Sequence, residues 1–558
     1  MRRLALVLVA LLLAGCVGVP SSGRVEPGLP GPVPDAPDPL VRPIVDPPEP
    51  GMSASEIVEG FLAASAAVAD DYRVAREYLT ADAALAWDPG AGVLVADEDG
   101  ATLTEEADVV TARFAQQASV SSSGVLVRQP TAPGTLTYPM ADVAGEWRIA
   151  VAPAGLLLTE PQLDRAFEVR NVYFLDPSRV TAVPDVRLLP LTGAEALATA
   201  LTSALLAGPS DWLAPGVASA IPAGMQLALG AVPVVDGVAQ IALQGPAVAG
   251  DADGLEQFGA QLSWTLQQVP DVTAMEVTLE GRPLSLTGDR GPVPVTAFDS
   301  YDPDVVIGTP RLYGLTAGGA FAVVDGDQVQ PLRAPGDGAE PPAATSVAAA
   351  PRSALVAGAT VDGSGLIAVV PGREAPLAIA GEVAAGPRID GLDRLWWLDT
   401  DGRVLVADAS AEAVPVQVGL PTGLGPVRAV APSRDGTRIA LLVGDGADRD
   451  VLLGVVVGAG DGPQASGLQL LEVPGGALDV AWRSADQLTV LSAGPDLLRR
   501  LDLLGSVVAS FAVPEEATTV ADAPRGVVAL GLADGTAGRL TGDGVRVVAG
   551  LAAPAYPG

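Results

Sequence analysis

The 558-residue sequence has no histidine and no lysine, and only one cysteine, Cys16. Each absence removes a class of chemistry. Without imidazole there is no Ser-His-Asp triad, no histidine zinc site and no phosphorelay histidine. Without a lysine amine there is no phosphate-loop lysine, no Schiff base and no kinase lysine. A single thiol cannot close a disulfide within the chain. Catalysis would have to run on carboxylates, hydroxyls, arginine or a hard metal ion. Positive charge is also scarce: 32 basic residues, all arginine, face 66 acidic ones, for a net charge of −34. Such a chain lacks the clustered cations that neutralise phosphates, so no nucleic-acid partner is expected. It equally lacks a basic patch for anionic lipid.

Long hydrophobic runs are few. Leu4 to Leu13 is unbroken, follows Met1-Arg2-Arg3 and leads into Leu13-Ala14-Gly15-Cys16. As a helix this run covers about 15 Å, half of a bilayer's hydrocarbon thickness. It is too short for a membrane span and has the parts of a secretory signal. "LLLAGCVGVP" resembles the bacterial lipobox. The resemblance implies a lipoprotein signal peptide over 1–15, cut before Cys16. Cys16 then becomes an S-diacylglycerol, N-palmitoyl cysteine that anchors the chain to the cell membrane at its extracytoplasmic face. Acyl chains would do the holding that charge cannot.

Residues 16–51, which include "GPVPDAPDPLVRPIVDPPEPG", are dense in proline and read as an extended tether. Folded segments follow. In 52–165, Ser53 and Glu56 form a capping-box pair, and Ile57, Val58, Phe61 and Leu62 recur at helical spacing. A second helix is predicted from Tyr72 to Leu79, closed by the turn Trp87-Asp88-Pro89-Gly90. Alternating hairpins come next, and "GEWRIAVAPAGLLL" reads as a last strand with Trp147 and Ile149. Helices followed by a curved antiparallel sheet are similar to the nuclear transport factor 2-like (NTF2-like) α+β cone. Asp70, Asp71, Glu77 and Trp87 are candidates to line its pocket; the plainer reading is exposed charges and a core tryptophan.

Residues 166–292 read strand, helix, hairpin, helix, strand, a second α+β module. Thr192 and Glu195 are placed as a capping box for a helix with Leu197, Leu201, Leu205 and Leu206 buried and Gly208 just past its end. Asp236-Gly237 is the expected hairpin turn. Leu255, Phe258, Leu262, Leu266 and Val269 share one face of the last helix.

From 303 to 555 the unit changes to strand, polar turn, apolar strand. "ATSVAAAPRSALVAGAT", "GPRIDGLDRLWWLDT", "VRAVAPSRDGTRIALLV", "LDVAWRSADQLTVLS" and "DAPRGVVALGLADGT" recur at intervals of about 40–50 residues, the span of a propeller blade. An all-β propeller of about six blades is expected; a pair of β-sandwiches is the alternative. In "APSRDGTRIALLV", Ser433, Asp435 and Gly436 form the turn, and Ile439, Leu441 and Val443 share a face. Asp390, Asp393, Asp399, Asp401, Asp435, Asp445, Asp448 and Asp450 offer carboxylates for glycosidic cleavage. Aspartate is also what such turns need for their geometry. "GDGADRD" at 444–450 lacks the glycine and terminal glutamate of an EF-hand loop. Trp396-Trp397 offers a sugar-stacking platform, although neighbours on a strand face opposite sides, which places one in the core and the other at a blade seam or the surface. No catalytic residue, cofactor or metal ligand is assigned.

"ALLAGPSDWLAPGV" and "QLSWTLQQVPDVTAMEVTLEG" resemble a GerMN domain. Taken in order with "GCVGVPSSG" and "GMSASEIVEGFLAASAAVADDYRVAREYLT", they make the chain similar to the LpqB family of actinobacterial lipoproteins. The resemblance implies a non-enzymatic accessory of the MtrAB two-component system. It would contact the extracellular domain of the sensor histidine kinase MtrB and modulate MtrA phosphorylation and cell-envelope homeostasis. The alternative is an extracytoplasmic carbohydrate-active enzyme or wall-glycan binder that uses the propeller.

Overall fold

The computed structural model describes residues 45–558, except 68–71, 289–290, 305, 307–309, 327, 333–340, 371–372, 374, 409–411, 447–448, 460–461, 494–497, 525 and 543. Cys16, its signal and most of the tether lie outside the described residues, as do Asp70, Asp71 and Asp448.

Helix α1 (Ala54–Ser65) begins at the expected capping box. Ser53 Oγ accepts from Glu56 N (3.3 Å), and Glu56 Oε2 accepts from Ser53 N (2.7 Å). Ile57, Val58 and Phe61 are buried. The predicted second helix is shorter, α2 (Arg73–Glu77), and an unforeseen α3 (Ala81–Ala86) follows, capped by Thr80. The sheet runs 146–149, 126–143, 109–121, 92–96, 156–159, with 102–106 added beside 109–121. Bulges at Val95/Ala96 and Gln116/Ala118 bend it into a half-barrel around α1. The expected single last strand is two. Gly155, at φ +82°, breaks the run after Glu146–Ile149, and Leu156–Thr159 then pairs parallel with Gly92–Ala96.

After α4 (Glu160–Ala166), the strands Phe167–Leu175 and Ala182–Pro190 form a nine-pair hairpin. Helix α5 (Ala194–Leu206) is capped differently from the expectation. Gly193 occupies the N-cap with no side-chain bond, so Thr192 sits one residue too early. Gly208, at φ +94°, does end the helix. Asp236 (φ 50°) and Gly237 (φ 77°) make the left-handed two-residue turn between Val234–Val235 and Val238–Gln244. That second strand pairs parallel with Ala274–Leu279, and α6 (Ala252–Leu266) is the crossover a parallel pair requires. Phe258, Leu262 and Leu266 are fully buried on α6, Val269 is buried just beyond it, and Leu255 is partly buried.

The 167–190 hairpin joins three cores. Phe167 and Leu188 pack with the half-barrel, Val172, Phe174 and Leu189 with the central module, and Val186 with a propeller blade. Leu188 N donates to Gly124 O (2.8 Å). Gly124, at φ +80°, approaches the hairpin so closely that a β-carbon would lie 2.8 Å from that strand's carbonyl.

The C-terminal half is a propeller of six sheets, in agreement with the repeat count. Ala552–Ala555 pairs with Tyr313–Leu315, so the last strand completes the first blade and closes the ring. The fourth blade is enlarged. Its hairpin Asp450–Ala459/Gly462–Leu471 is long, and Gln417–Val418 adds a fifth strand.

Candidate functional site

Five of the six innermost strands place alanines around the propeller axis, Ala348, Ala349, Ala431, Ala481, Ala521 and Ala555, and the third blade places Arg388 and Ile389 there. Small side chains there leave a channel in principle. The chain fills it. Gly558 N donates to Ala349 O (3.1 Å), and Pro557 bridges to the same strand. Arg434, 2% exposed, points into the axis. Its Nε donates to Pro557 O (3.2 Å), and its Nη2 to Trp482 O (3.0 Å) and Asp522 O (3.2 Å). Its Nη1 lies 3.8 Å from Asp304 Oδ1. The cavity that remains is about 20 Å³, the room of a single water.

A buried polar network surrounds this arginine. Asp522 accepts from Thr489 Oγ1 (2.7 Å) and pairs with Arg500 (3.3 Å) and Arg483 (3.7 Å). Burial raises the Asp479 carboxyl, against the opposing charge of Arg388. Asp304 is pushed up to about 6, by burial first; Asp486 and Asp302 add to the shift, and Arg434 opposes it. Further hydrogen bonds join the propeller to the segments before it. Asn171 Nδ2 donates to Asp486 Oδ2 (2.8 Å), Trp212 Nε1 to Gly467 O (2.7 Å), and Arg352 Nη2 to Asp302 O (3.1 Å). Gly216 rests directly on Val455, leaving no room for a side chain.

Four of the aspartates singled out in the sequence, Asp390, Asp399, Asp401 and Asp435, serve their own turns. Asp390 Oδ1 accepts from Leu392 N and Arg394 N, and its Oδ2 from Arg394 Nε (2.7 Å) and Trp396 Nε1 (2.8 Å). Burial raises its carboxyl against those partners. Asp399 accepts from Arg403 N and Arg403 Nε (both 2.8 Å), which hold its carboxyl low against burial, and Asp401 pairs with that arginine from an exposed position. Asp393 accepts from Ser353 Oγ (2.8 Å). Burial would raise Asp435, but Arg438 and hydrogen bonds from Thr437 and Ser433 outweigh it and hold the carboxyl low. Asp445 pairs with Arg428, and Asp450 opens a strand. No cluster of three metal-ligating side chains occurs among the described residues.

For the aromatic candidates the structure takes the plainer of the two readings. Trp396 and Trp397 are both fully buried, so they form no sugar platform. They do face opposite ways: Trp396 packs into the seam with the fourth blade and Trp397 into the seam with the second. Neither Trp87 nor Glu77 lines the half-barrel's cavity. Trp87 is core, edge-on to Phe61 (5.0 Å) and under the Arg76 guanidinium, and Glu77 pairs with Arg73 on the surface. The half-barrel does hold a cavity, of about 420 Å³, on another face of α1, between α1 and the strands 92–96, 102–106 and 156–159. Arg434 and this cavity were both missed from sequence. Arg434 stood inside a quoted motif, but its partners are carbonyls far away in the chain.

Three family models match in succession: the N-terminal domain of lipoprotein LpqB at 47–164, the sporulation and spore germination (Germane) domain at 171–285, and the LpqB β-propeller domain at 319–550. Lipoprotein LpqB of Thermobifida fusca is 31% identical over 549 residues, covering 87% of this chain and 86% of that protein. The chain belongs to the LpqB lipoprotein family. The LpqB of Mycolicibacterium smegmatis is 29% identical, with 89% and 88% covered. The LpqB of Mycobacterium tuberculosis is 27% identical, with 95% and 94% covered. LpqB relatives are named as lipoproteins, which implies membrane anchoring, and not as enzymes. Among solved structures, TolB of Acinetobacter baumannii is similar at 11% identity and a TM-score of 0.33, over 57% of this chain and 96% of that one. A likeness that loose carries nothing about activity.

Proposed function

We propose that this LpqB-family chain is a non-enzymatic accessory of a two-component system, held at the extracytoplasmic face of the membrane by a lipidated Cys16. In this reading it binds the extracellular domain of the sensor histidine kinase MtrB and modulates MtrA phosphorylation and envelope homeostasis. The observation that carries the reading is the filled propeller axis. The channel is occupied by Arg434 and the residues after the last strand, and Asp390 and Asp399 are engaged in their own turns. What the molecule offers a partner is outer surface, on modules joined by one hairpin. A lipid anchor with a tether keeps that surface concentrated beside membrane receptors.

The test compares wild type with Cys16→Ala in the native host by membrane fractionation and crosslinking. Wild type is expected to sediment with the membrane and crosslink to the kinase, and Cys16→Ala to leave the membrane and lose the kinase. Retention of Cys16→Ala at the membrane would sink the anchor. Capture of wall glycan without kinase would move the function to the propeller surface as a glycan binder.

A further inference from the structure

The cavity of the half-barrel has a chemistry of its own. Helix α1 uses two faces. Ala54, Ile57, Val58 and Phe61 enter the core, while Ser55, Glu59, Leu62 and Ala63, at helical spacing, turn towards the cavity. Its floor is Leu157 and Leu158, 8% and 1% exposed. Its far wall carries Ala96, Ala101 and Leu103. Alanines at facing positions are what leave about 420 Å³ open, a volume in the range of sites for small molecules.

The lining is apolar below and polar at the rim, and the rim has one sign. Glu59 lies on it, and its carboxylate makes no hydrogen bond or ion pair with any described residue. Glu105 is beside it, accepting from Ser55 N (3.3 Å) and Ser55 Oγ (2.9 Å). Gln162 Oε1 accepts from Thr159 N (2.8 Å), and Glu59 is the one charged side chain among the lining residues. No arginine lines the cavity, and the chain has no lysine. An anion entering here would meet like charge and find no cation to pair with.

We propose that this cavity binds a small cationic amphiphile, its apolar body on Leu62, Leu103, Leu157 and Leu158 and its ammonium at Glu59. Burial of the apolar body supplies most of the affinity. The rim charge sets the preference for the head group, modest because Glu59 is exposed.

The test is calorimetric titration and thermal shift of the full chain with decylamine, decanol and decanoate, each below its micelle-forming concentration. Decylamine is expected to bind at one per chain, at least tenfold more tightly than decanoate, with decanol between. Glu59→Gln, a change on an exposed helix position, is expected to bring decylamine down to the affinity of decanol and to leave decanol unchanged. Ala101→Phe, which fills the cavity, is expected to abolish all binding while the chain still melts cooperatively. Equal binding of decanoate and decylamine would overturn the proposal. So would binding that survives Ala101→Phe, or no binding by any of the three. Comparing the lipidated chain with Cys16→Ala settles the remaining case. Binding only in Cys16→Ala would mean that the chain's own acyl groups fill the cavity, which also overturns it.

Discussion

The half-barrel and the propeller both line an internal space with alanine, yet one space is open and the other is filled. In the half-barrel, Ala63, Ala96 and Ala101 leave about 420 Å³ beside α1, and no other part of the described chain enters it. In the propeller, the strand 552–555 returns to close the ring, and the residues after it are carried to the axis beside Arg434. The difference lies in connectivity. A ring closed by its own last strand delivers more chain to its centre. A half-barrel closed by one helix has nothing further to insert. Small residues create space in both places, and the path of the chain decides whether the space is a core or a site.

The largest effect expected from this contrast is at Arg434. Arg434→Met keeps much of the volume but strips the buried carbonyls of Pro557, Trp482 and Asp522 of their donor and leaves Asp304 without its cation. A loss of about 3–5 kcal/mol in chemical denaturation is expected, as for breaking a buried charged network by removing one partner. A loss under about 1 kcal/mol would show that the axis does not depend on its filling.

Adding volume should separate the two spaces directly. Ala431→Leu overpacks the filled axis and is expected to destabilise by about 1–3 kcal/mol. Ala101→Leu, facing the open cavity, is expected to change stability by less than about 0.5 kcal/mol. Equal costs at the two positions would erase the comparison.

A smaller effect is expected from pH. Asp304 has its carboxyl raised from 3.8 to about 6, so the folded state holds its proton more tightly than the unfolded chain does. The stability this contributes is complete below about pH 4 and is lost as pH rises to about 6. Because the side chain is 26% exposed, the loss is taken as about 1–2 kcal/mol and not the full value of the shift. Denaturation curves from pH 4 to 7 should show this decline in wild type, and the difference between wild type and Asp304→Asn should isolate it from the other raised carboxyls. A difference that is flat across that window would remove Asp304 from the pH response.

The smallest loss of stability is expected at the start of α1. Ser53→Ala removes the cap of α1 and is expected to cost about 1 kcal/mol, while affinity for decylamine changes less than twofold. A larger loss of binding would mean that the cavity depends on how α1 begins.

Much of this molecule was legible in its sequence wherever the cause is local. The capping box of α1 needs Ser53 and Glu56 three residues apart. The hairpin turn needs residues that tolerate positive φ, and Asp236-Gly237 supplies them. The blade count follows from a repeat interval of about 40–50 residues. The neighbouring Trp396 and Trp397 were placed on opposite faces by strand geometry alone, although which seams they fill depends on blades that pack from either side. Thr192 was misread as a cap because a one-residue shift in helix start is invisible to spacing.

The amino-acid sequence by itself determined the exclusions set by the missing histidine and lysine, the acidic balance, and the order of three folded modules. These are matters of composition and of residues within a turn or two of one another. Only the tertiary structure decided what occupies the propeller axis, how the 167–190 hairpin ties three cores together, and where the open cavity lies. Arg434 meets partners 48, 88 and 123 residues away, and the cavity is bounded by segments from Ser55 to Gln162. Such contacts follow from how the strands close on one another, and no local pattern of residue types encodes the space that closure leaves behind.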